Sequence, residues 1–307
     1  MRAAVVGLGG VGGYFGGKLA RKYAGSQKHA VVFIARGAHL AAIRREGLLL
    51  KTVDGEYRVA PDFATEYPAE AGLCDLVLFS AKEYDLEAAA VQIAPLLHGG
   101  TALLPVLNGV DITERLRSIV PRGVVLSGLV YISSFVEAPG VVRQVGGNCQ
   151  LIFGPDGGKP GPCRPLEALL QAAGIRAELS NDIAVPLWTK YLFVSPMAGV
   201  TSLTGLNFGE VMAHGKRRMM IRGPMAEIER LARVKGIALP EDSVDRGIAT
   251  VERFPPATKS SLQLDFAKGR RTELDLFIGF AVRAGRGLGV PMPLHEELYA
   301  ALAGKAS

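Results

Sequence analysis

The sequence predicts an α/β domain over residues 1–180 followed by an all-helical domain over residues 181–307. Three observations carry this prediction. Short apolar runs alternate with helix-compatible segments over roughly the first 120 residues, which is the pattern of parallel strands joined by crossover helices. Glycines at 7, 9 and 12 stand at G-x-G-x-x-G spacing between the first strand and the first helix. Past Ser180-Asn181-Asp182, which supplies helix-capping chemistry, almost every segment has helical period.

Ala3–Val6 is a buried-strand run, and the turn after it holds Gly7, Leu8, Gly9, Gly10, Val11 and Gly12. Gly7 permits a tight strand-to-helix turn, Gly9 lets a diphosphate approach the backbone, and Gly12 lets the helix pack closely on the strand. The free N–H groups of the helix start would then receive the diphosphate. With 38 glycines in the chain, a chance match is the competing reading. Val11–Lys22 is the first helix and His29–Ala35 the second strand, which ends in Arg36. In dinucleotide-binding folds an acid at this tip binds a ribose 2′-hydroxyl, whereas an arginine pairs with a 2′-phosphate. Arg36 therefore selects NADP, against the alternative of an ordinary surface arginine.

Ala38–Glu46 is helical, and Gly47–Ala60 reads as a hairpin about Asp54-Gly55. Leu73–Ser80 is a buried strand leading to Lys82, with a helix from Asp85 to Leu97. Thr101–Leu107 is a strand leading to Asn108, with a helix from Asp111. Lys82 and Asn108 thus lie at the carboxyl ends of strands, where ligands bind in such sheets, although either could be a plain loop residue. Gly123–Gly154 reads as mostly antiparallel strands with a turn at Pro139-Gly140, then come a loop over Pro155–Pro165, a helix over Arg164–Gly174 and a strand over Ile175–Leu179. The second half offers helices over Asn181–Leu203, Gly215–Lys235, Glu241–Phe254, Thr258–Ala267, Thr272–Gly287 and Pro293–Leu302.

Composition narrows the function classes. The net charge is +6, yet Lys and Arg are scattered and no basic stripe interleaved with aromatics appears, so a nucleic-acid partner is not expected. The cluster Lys216-Arg217-Arg218 with Arg222 reads as a solvated helix face. Three cysteines without C-x-x-C spacing suggest a reducing, cytoplasmic setting. The five histidines share no ligand spacing, so no metal is expected. The apolar run after Arg2 is short and glycine-broken, unlike a leader, and no run is long enough for a membrane span.

Lys190 stands alone among apolar residues in Leu187-Trp188-Thr189-Lys190-Tyr191-Leu192-Phe193. On a helix Val194, Ala198 and Thr201 share its face. A desolvated lysine has a lowered pKa and suits proton donation to a carbonyl, while a snorkelling lysine would keep its ammonium in water. Glu273 and Asp275 open a helix, where acids are favoured for dipole reasons alone.

Taken together, these residues resemble the ketopantoate reductases over nearly the whole chain. The marks are the glycine turn, Arg36, Phe79-Ser80-Ala81-Lys82, Asn108-Gly109 and Leu187-Trp188-Thr189-Lys190. Further on come Ser260-Ser261-Leu262-Gln263-Leu264-Asp265, Thr272-Glu273-Leu274-Asp275, and the run from Gly285 to Pro293. The resemblance implies a Rossmann-like N-terminal domain and a C-terminal domain like that of 6-phosphogluconate dehydrogenase. It implies NADPH-dependent reduction of 2-dehydropantoate to pantoate, as in pantothenate and coenzyme A biosynthesis. It makes Lys190 the general acid, and Glu273 a residue that binds the substrate hydroxyl and orients that lysine. Ser261 and Asn108 would contact substrate or the nicotinamide end of the cofactor, and Lys82 would belong to the cofactor side. The expected partner is a small 2-oxo acid, and a homodimer is compatible with the family.

One departure touches the substrate. Ketopantoate-reducing members usually carry asparagines four and eight residues after the lysine, where this chain has Val194 and Ala198. Each missing polar contact is worth about 1–3 kcal/mol. Ser195, Thr201 and Ser202 are the nearby hydroxyls, although Ser195 points away from Lys190 on an ideal helix and Pro196 stands beside it. A different 2-oxo acid is therefore the alternative substrate, and a non-catalytic NADP(H)-binding protein the alternative from another class.

Overall fold

A computed structural model describes residues 1–306. The chain divides into two compact units. The first holds residues 1–107 and 111–183, and the second holds 108–110 and everything from Ala184 onward.

The first unit begins with β1 (Arg2–Val6), α1 (Gly10–Tyr23), β2 (Ala30–Ile34), α2 (Gly37–Glu46), the hairpin β3 (Leu48–Thr52) and β4 (Gly55–Val59), and β5 (Phe63–Thr65). It continues with β6 (Leu76–Phe79), α3 (Leu86–Gln92), β7 (Ala102–Pro105), α4 (Ile112–Ile119), β8 (Val124–Val125), β9 (Ser127–Ala138), β10 (Val141–Gly154), α5 (Arg164–Ala172) and β11 (Arg176–Leu179). Six strands form a parallel sheet in the order β5-β2-β1-β6-β7-β8. This is the doubly wound Rossmann order, in which the winding reverses between β1 and β6. Residues 76–79 are all buried, as a strand covered on both faces must be. A second sheet runs β11-β10-β3-β4, with β9 antiparallel to β10.

Several predicted elements change in detail. The strand expected from Leu73 starts at Leu76, because Leu73 is 60% exposed and the Asp75 carboxylate accepts the Arg2 N–H at 2.7 Å. The helix expected to reach Leu97 stops at Gln92 and gives way to a 3₁₀ turn at Ala94–Leu96, where Pro95 has no N–H to continue it. In the hairpin, Thr52 pairs with Gly55, so the two loop residues are Val53 and Asp54, one earlier than Asp54-Gly55. Gly55, at φ +142°, opens the returning strand. The short strands β5 and β8 carry too little apolar pattern to announce themselves.

The second unit is helical: α6 (Ala184–Thr204), α7 (Phe208–Met212), α8 (Gly215–Val234), α9 (Ser243–Glu252), α10 (Ser261–Ala267), α11 (Phe280–Leu288) and α12 (Pro293–Ala306). α7 is an unpredicted single turn held by a reciprocal cap, Asn207 accepting the Glu210 N–H and Glu210 accepting the Asn207 N–H, both at 2.8 Å. The helix predicted over Thr272–Gly287 is a π-turn at Asp275–Gly279 that runs directly into α11. Among the described residues no helix is long and apolar enough to cross a membrane.

Candidate active site

The first unit builds a backbone cradle from the glycine turn. Gly7 sits at φ +85°, and a Cβ there would lie 2.8 Å from the Ser80 carbonyl. The Ser80 hydroxyl donates to the carbonyl oxygens of Gly7 and Val6 at 2.6 and 3.0 Å, tying the turn to the end of β6. A Cβ on Gly12 would strike the Gly7 carbonyl and the Ser80 hydroxyl, and one on Gly10 the backbone of Ser134. Leu8 is buried and Val11 half-buried. Gly9 differs from the others, because a Cβ there would meet nothing within 4 Å.

Gly9 is also the N-cap of α1, and its carbonyl accepts the Gly13 N–H at 2.8 Å. The N–H groups of Gly10, Val11 and Gly12, in the first turn, therefore have no carbonyl within the helix. This arrangement fits the diphosphate of a dinucleotide. Gly9→Ala is expected to leave the melting temperature unchanged, since the added Cβ meets nothing within 4 Å. It is expected to weaken NADPH binding by about tenfold or more, because that carbon stands in the ligand's approach. Thermal melts beside fluorescence titrations of NADPH check both halves.

Arg36 is the residue after β2 and Ala35 and serves as N-cap of α2. Its Nη2 lies 2.9 Å from Asp85 Oδ2. Lys82 is exposed after β6 and precedes the 3₁₀ turn Glu83–Asp85, with the Asp85 N–H donating to the Lys82 carbonyl at 2.9 Å.

The second unit brings Lys190 and Asn108 together. The Nζ of Lys190, on α6, donates to Asn108 Oδ1 at 2.7 Å, and Asn108 belongs to this unit by its contacts although it lies 82 residues earlier in the chain. Burial strips water from the Lys190 ammonium and lowers its pKa to about 8. Next to it, the Tyr191 hydroxyl donates to the Phe277 carbonyl at 2.8 Å, holding the π-turn that follows Glu273 against α6. π-turns leave carbonyls displaced from the regular ladder, and Tyr191 caps one of them. Glu273 itself is 7% exposed, and Phe277 donates its N–H to the Glu273 carbonyl at 3.1 Å.

Ser261 is exposed at the first position of α10, whose N-cap is Ser260. Thr201 Oγ1 lies 2.8 Å from Ser260 Oγ and donates to the Met197 carbonyl at 2.7 Å. Thr201 therefore anchors the start of α10 instead of facing a ligand. Ser195 is fully buried and turned to His295, 3.2 Å away, and the buried Ser202 hydroxyl has no partner. Ser195 and Thr201 are thus engaged elsewhere and do not replace the asparagines absent at 194 and 198. Val194 is half-buried and Ala198 buried, and neither has a side-chain polar atom.

The contact of Ser195 is part of a network that sequence reasoning missed. His295 Nδ1 lies 2.7 Å from Glu227 Oε2, and the same carboxylate accepts the N–H groups of Leu294 and His295 at 2.8 and 3.0 Å. Ser195, His295 and Glu227 have the connectivity of a nucleophilic triad. With exposures of 0, 0 and 1%, no substrate can reach them, and the network is a structural one. Among the described residues no group of three or more His, Cys, Asp or Glu side chains is placed to hold a metal.

A family model described as ketopantoate reductase PanE/ApbA matches residues 3–158, and its C-terminal counterpart matches residues 182–306. A 2-dehydropantoate 2-reductase of Mesorhizobium japonicum is 30% identical over 98% of this chain and 96% of its own length. An uncharacterized oxidoreductase of Bacillus subtilis, YkpB, is 28% identical over 98% of both chains. The crystal structure of a PanE/ApbA family ketopantoate reductase from Ralstonia eutropha superposes with a TM-score of 0.90 at 32% identity, covering 100% of this chain and 98% of that one.

Proposed function

Because the chain belongs to the ketopantoate reductase PanE/ApbA family, we propose that it reduces the ketone of a 2-oxo acid to a 2-hydroxy acid, with Lys190 as the proton donor. The observation that carries this reading is the half-buried Lys190 held 2.7 Å from Asn108 with its pKa lowered to about 8. A general acid works best when its pKa lies near the working pH, and an ordinary exposed lysine does not meet that condition.

A reduced nicotinamide dinucleotide, when bound, supplies the hydride for the carbonyl carbon. The N–H groups of Gly10, Val11 and Gly12 would hold its diphosphate, and Arg36 and Lys82 would attract a 2′-phosphate, which favours NADPH. Lys190 gives its proton to the carbonyl oxygen as negative charge develops there. Asn108 keeps the ammonium oriented, and Tyr191 fixes the turn that carries Glu273. Glu273 and Ser261 are assigned to the substrate's polar groups. A protein that only bound the dinucleotide would need neither a depressed lysine nor this apparatus around it.

The first substrate reading is ketopantoate, giving pantoate. Val194 and Ala198 support a second reading, a 2-oxo acid whose side chain is apolar and asks for no hydrogen bond at those positions. An NADPH-oxidation assay tests both with ketopantoate beside 2-oxo acids carrying linear, branched and aromatic side chains. The expected result is turnover with ketopantoate. An apolar 2-oxo acid with a tenfold higher kcat/KM assigns the second reading, and NADPH binding without oxidation by any of them sinks the proposed reaction. Under the second reading, Val194→Asn with Ala198→Asn is expected to shift preference toward ketopantoate by at least one order of magnitude, since two recovered contacts at about 1–3 kcal/mol each sum to about 2 kcal/mol or more.

A further inference from the structure

A strand-tip arginine next to a ribose can recruit a 2′-phosphate only with donors that are available to it, and Arg36 already has an anion. Its side chain is 82% exposed and its Nη2 stands 2.9 Å from Asp85 Oδ2, on a carboxyl side chain 35% exposed. Asp85 ends the 3₁₀ turn Glu83–Asp85, and Glu83 and Glu87, two residues to either side of it, are both held from α4 by one guanidinium. Arg115 reaches Glu83 Oε1 at 2.8 Å with Nη1, and Glu87 Oε1 at 3.0 and 2.6 Å with Nε and Nη2. Arg115 is thus engaged with the neighbouring carboxylates, and Asp85 is the acid of this turn presented to Arg36.

We propose that Asp85 sets the cofactor preference of this chain, weakening its discrimination between the 2′-phosphorylated and unphosphorylated nicotinamide dinucleotides. The inference rests on the dinucleotide reading of the glycine turn. The Asp85 carboxylate engages one nitrogen of the guanidinium that a 2′-phosphate would use, and a phosphate entering there must lie beside a like charge. The same carboxylate is an acceptor of the kind that binds a ribose 2′-hydroxyl in NAD-selective folds, although it comes from the turn after β6 and not from the tip of β2. Exposed ion pairs are weak and screened, so a dianionic phosphate displaces Asp85 at modest cost. The outcome is acceptance of both cofactors with a small preference.

Fluorescence titration of the full chain with NADPH and with NADH, at low and high salt, tests this. Asp85→Asn is expected to tighten NADPH binding about fivefold at low salt and to leave NADH within twofold of its original affinity or weaker. The gain should shrink at high salt and should be smaller in the Arg36→Ala background, where only the like-charge repulsion between Asp85 and the phosphate remains. An NADPH-to-NADH ratio that Asp85→Asn moves by less than twofold, with both cofactors still bound, overturns the role of Asp85 alone. If the unmodified chain binds neither cofactor, the dinucleotide reading falls and this inference falls with it.

Discussion

Replacing Lys190 by alanine is expected to lower kcat for 2-oxo acid reduction by about two to four orders of magnitude, the range lost when a general acid is removed. The dissociation constant for NADPH should stay within about twofold, because the glycine turn and Arg36 belong to the first unit. The pH profile provides a separate check. Reduction needs the protonated ammonium, so kcat should fall as pH rises through about 8, where Lys190 loses its proton. Oxidation of the 2-hydroxy acid needs the neutral amine as base and should rise through the same region. In Lys190→Ala both limbs should flatten. Wild-type turnover in that variant, or an unchanged limb near pH 8, removes Lys190 from the chemistry.

Features with purely local causes were legible in the sequence. A strand that must turn at φ +85° and bring an oxygen against its own helix needs glycine, and residues 7 and 12 announce that need at fixed spacing. The parallel order of the main sheet follows from alternating strands and helices, because successive parallel strands need crossovers. What was hidden depends on tertiary partners. Asn108 reads as the end of a strand in the first unit, yet its contacts place it with Lys190 in the second. The π-turn at Asp275–Gly279 looks like ordinary helix in sequence, since its altered ladder is marked by the Tyr191 hydroxyl, which donates to the Phe277 carbonyl from 86 residues away. Arg36 could be found from its place after β2, but its occupation by Asp85 could not, because that acid lies 49 residues on and carries no motif. His295 offered no ligand spacing, and its meaning comes from Glu227 and Ser195, 68 and 100 residues away.

That buried network carries the largest expected effect on stability. Burial by itself would raise the Glu227 pKa, but hydrogen bonds from the His295 ring and from the N–H groups of Leu294 and His295 outweigh it and hold the carboxyl below its usual range. In Glu227→Gln one carboxylate oxygen becomes an NH2 donor, which in either orientation faces a backbone N–H that the carboxylate had accepted, that of Leu294 or that of His295. Breaking one side of a buried ionic or charge-assisted arrangement costs about 3–5 kcal/mol, a fall in Tm on the order of 10 °C for a chain of this size. The pH dependence has a definite sign. A carboxyl whose folded-state pKa is depressed contributes stability that is fully present above its unfolded value and lost as pH falls through the lowered folded value. The gap in Tm between Glu227→Gln and the unmodified chain should therefore be full at pH 7 and close in acid. Since Ser195 lies five residues past Lys190 on α6, kcat measured well below the melt separates a structural role from a catalytic one. It should stay within about threefold of the original, because the network lies out of reach of any substrate. A variant that keeps its Tm but loses turnover would place Glu227 in the reaction instead.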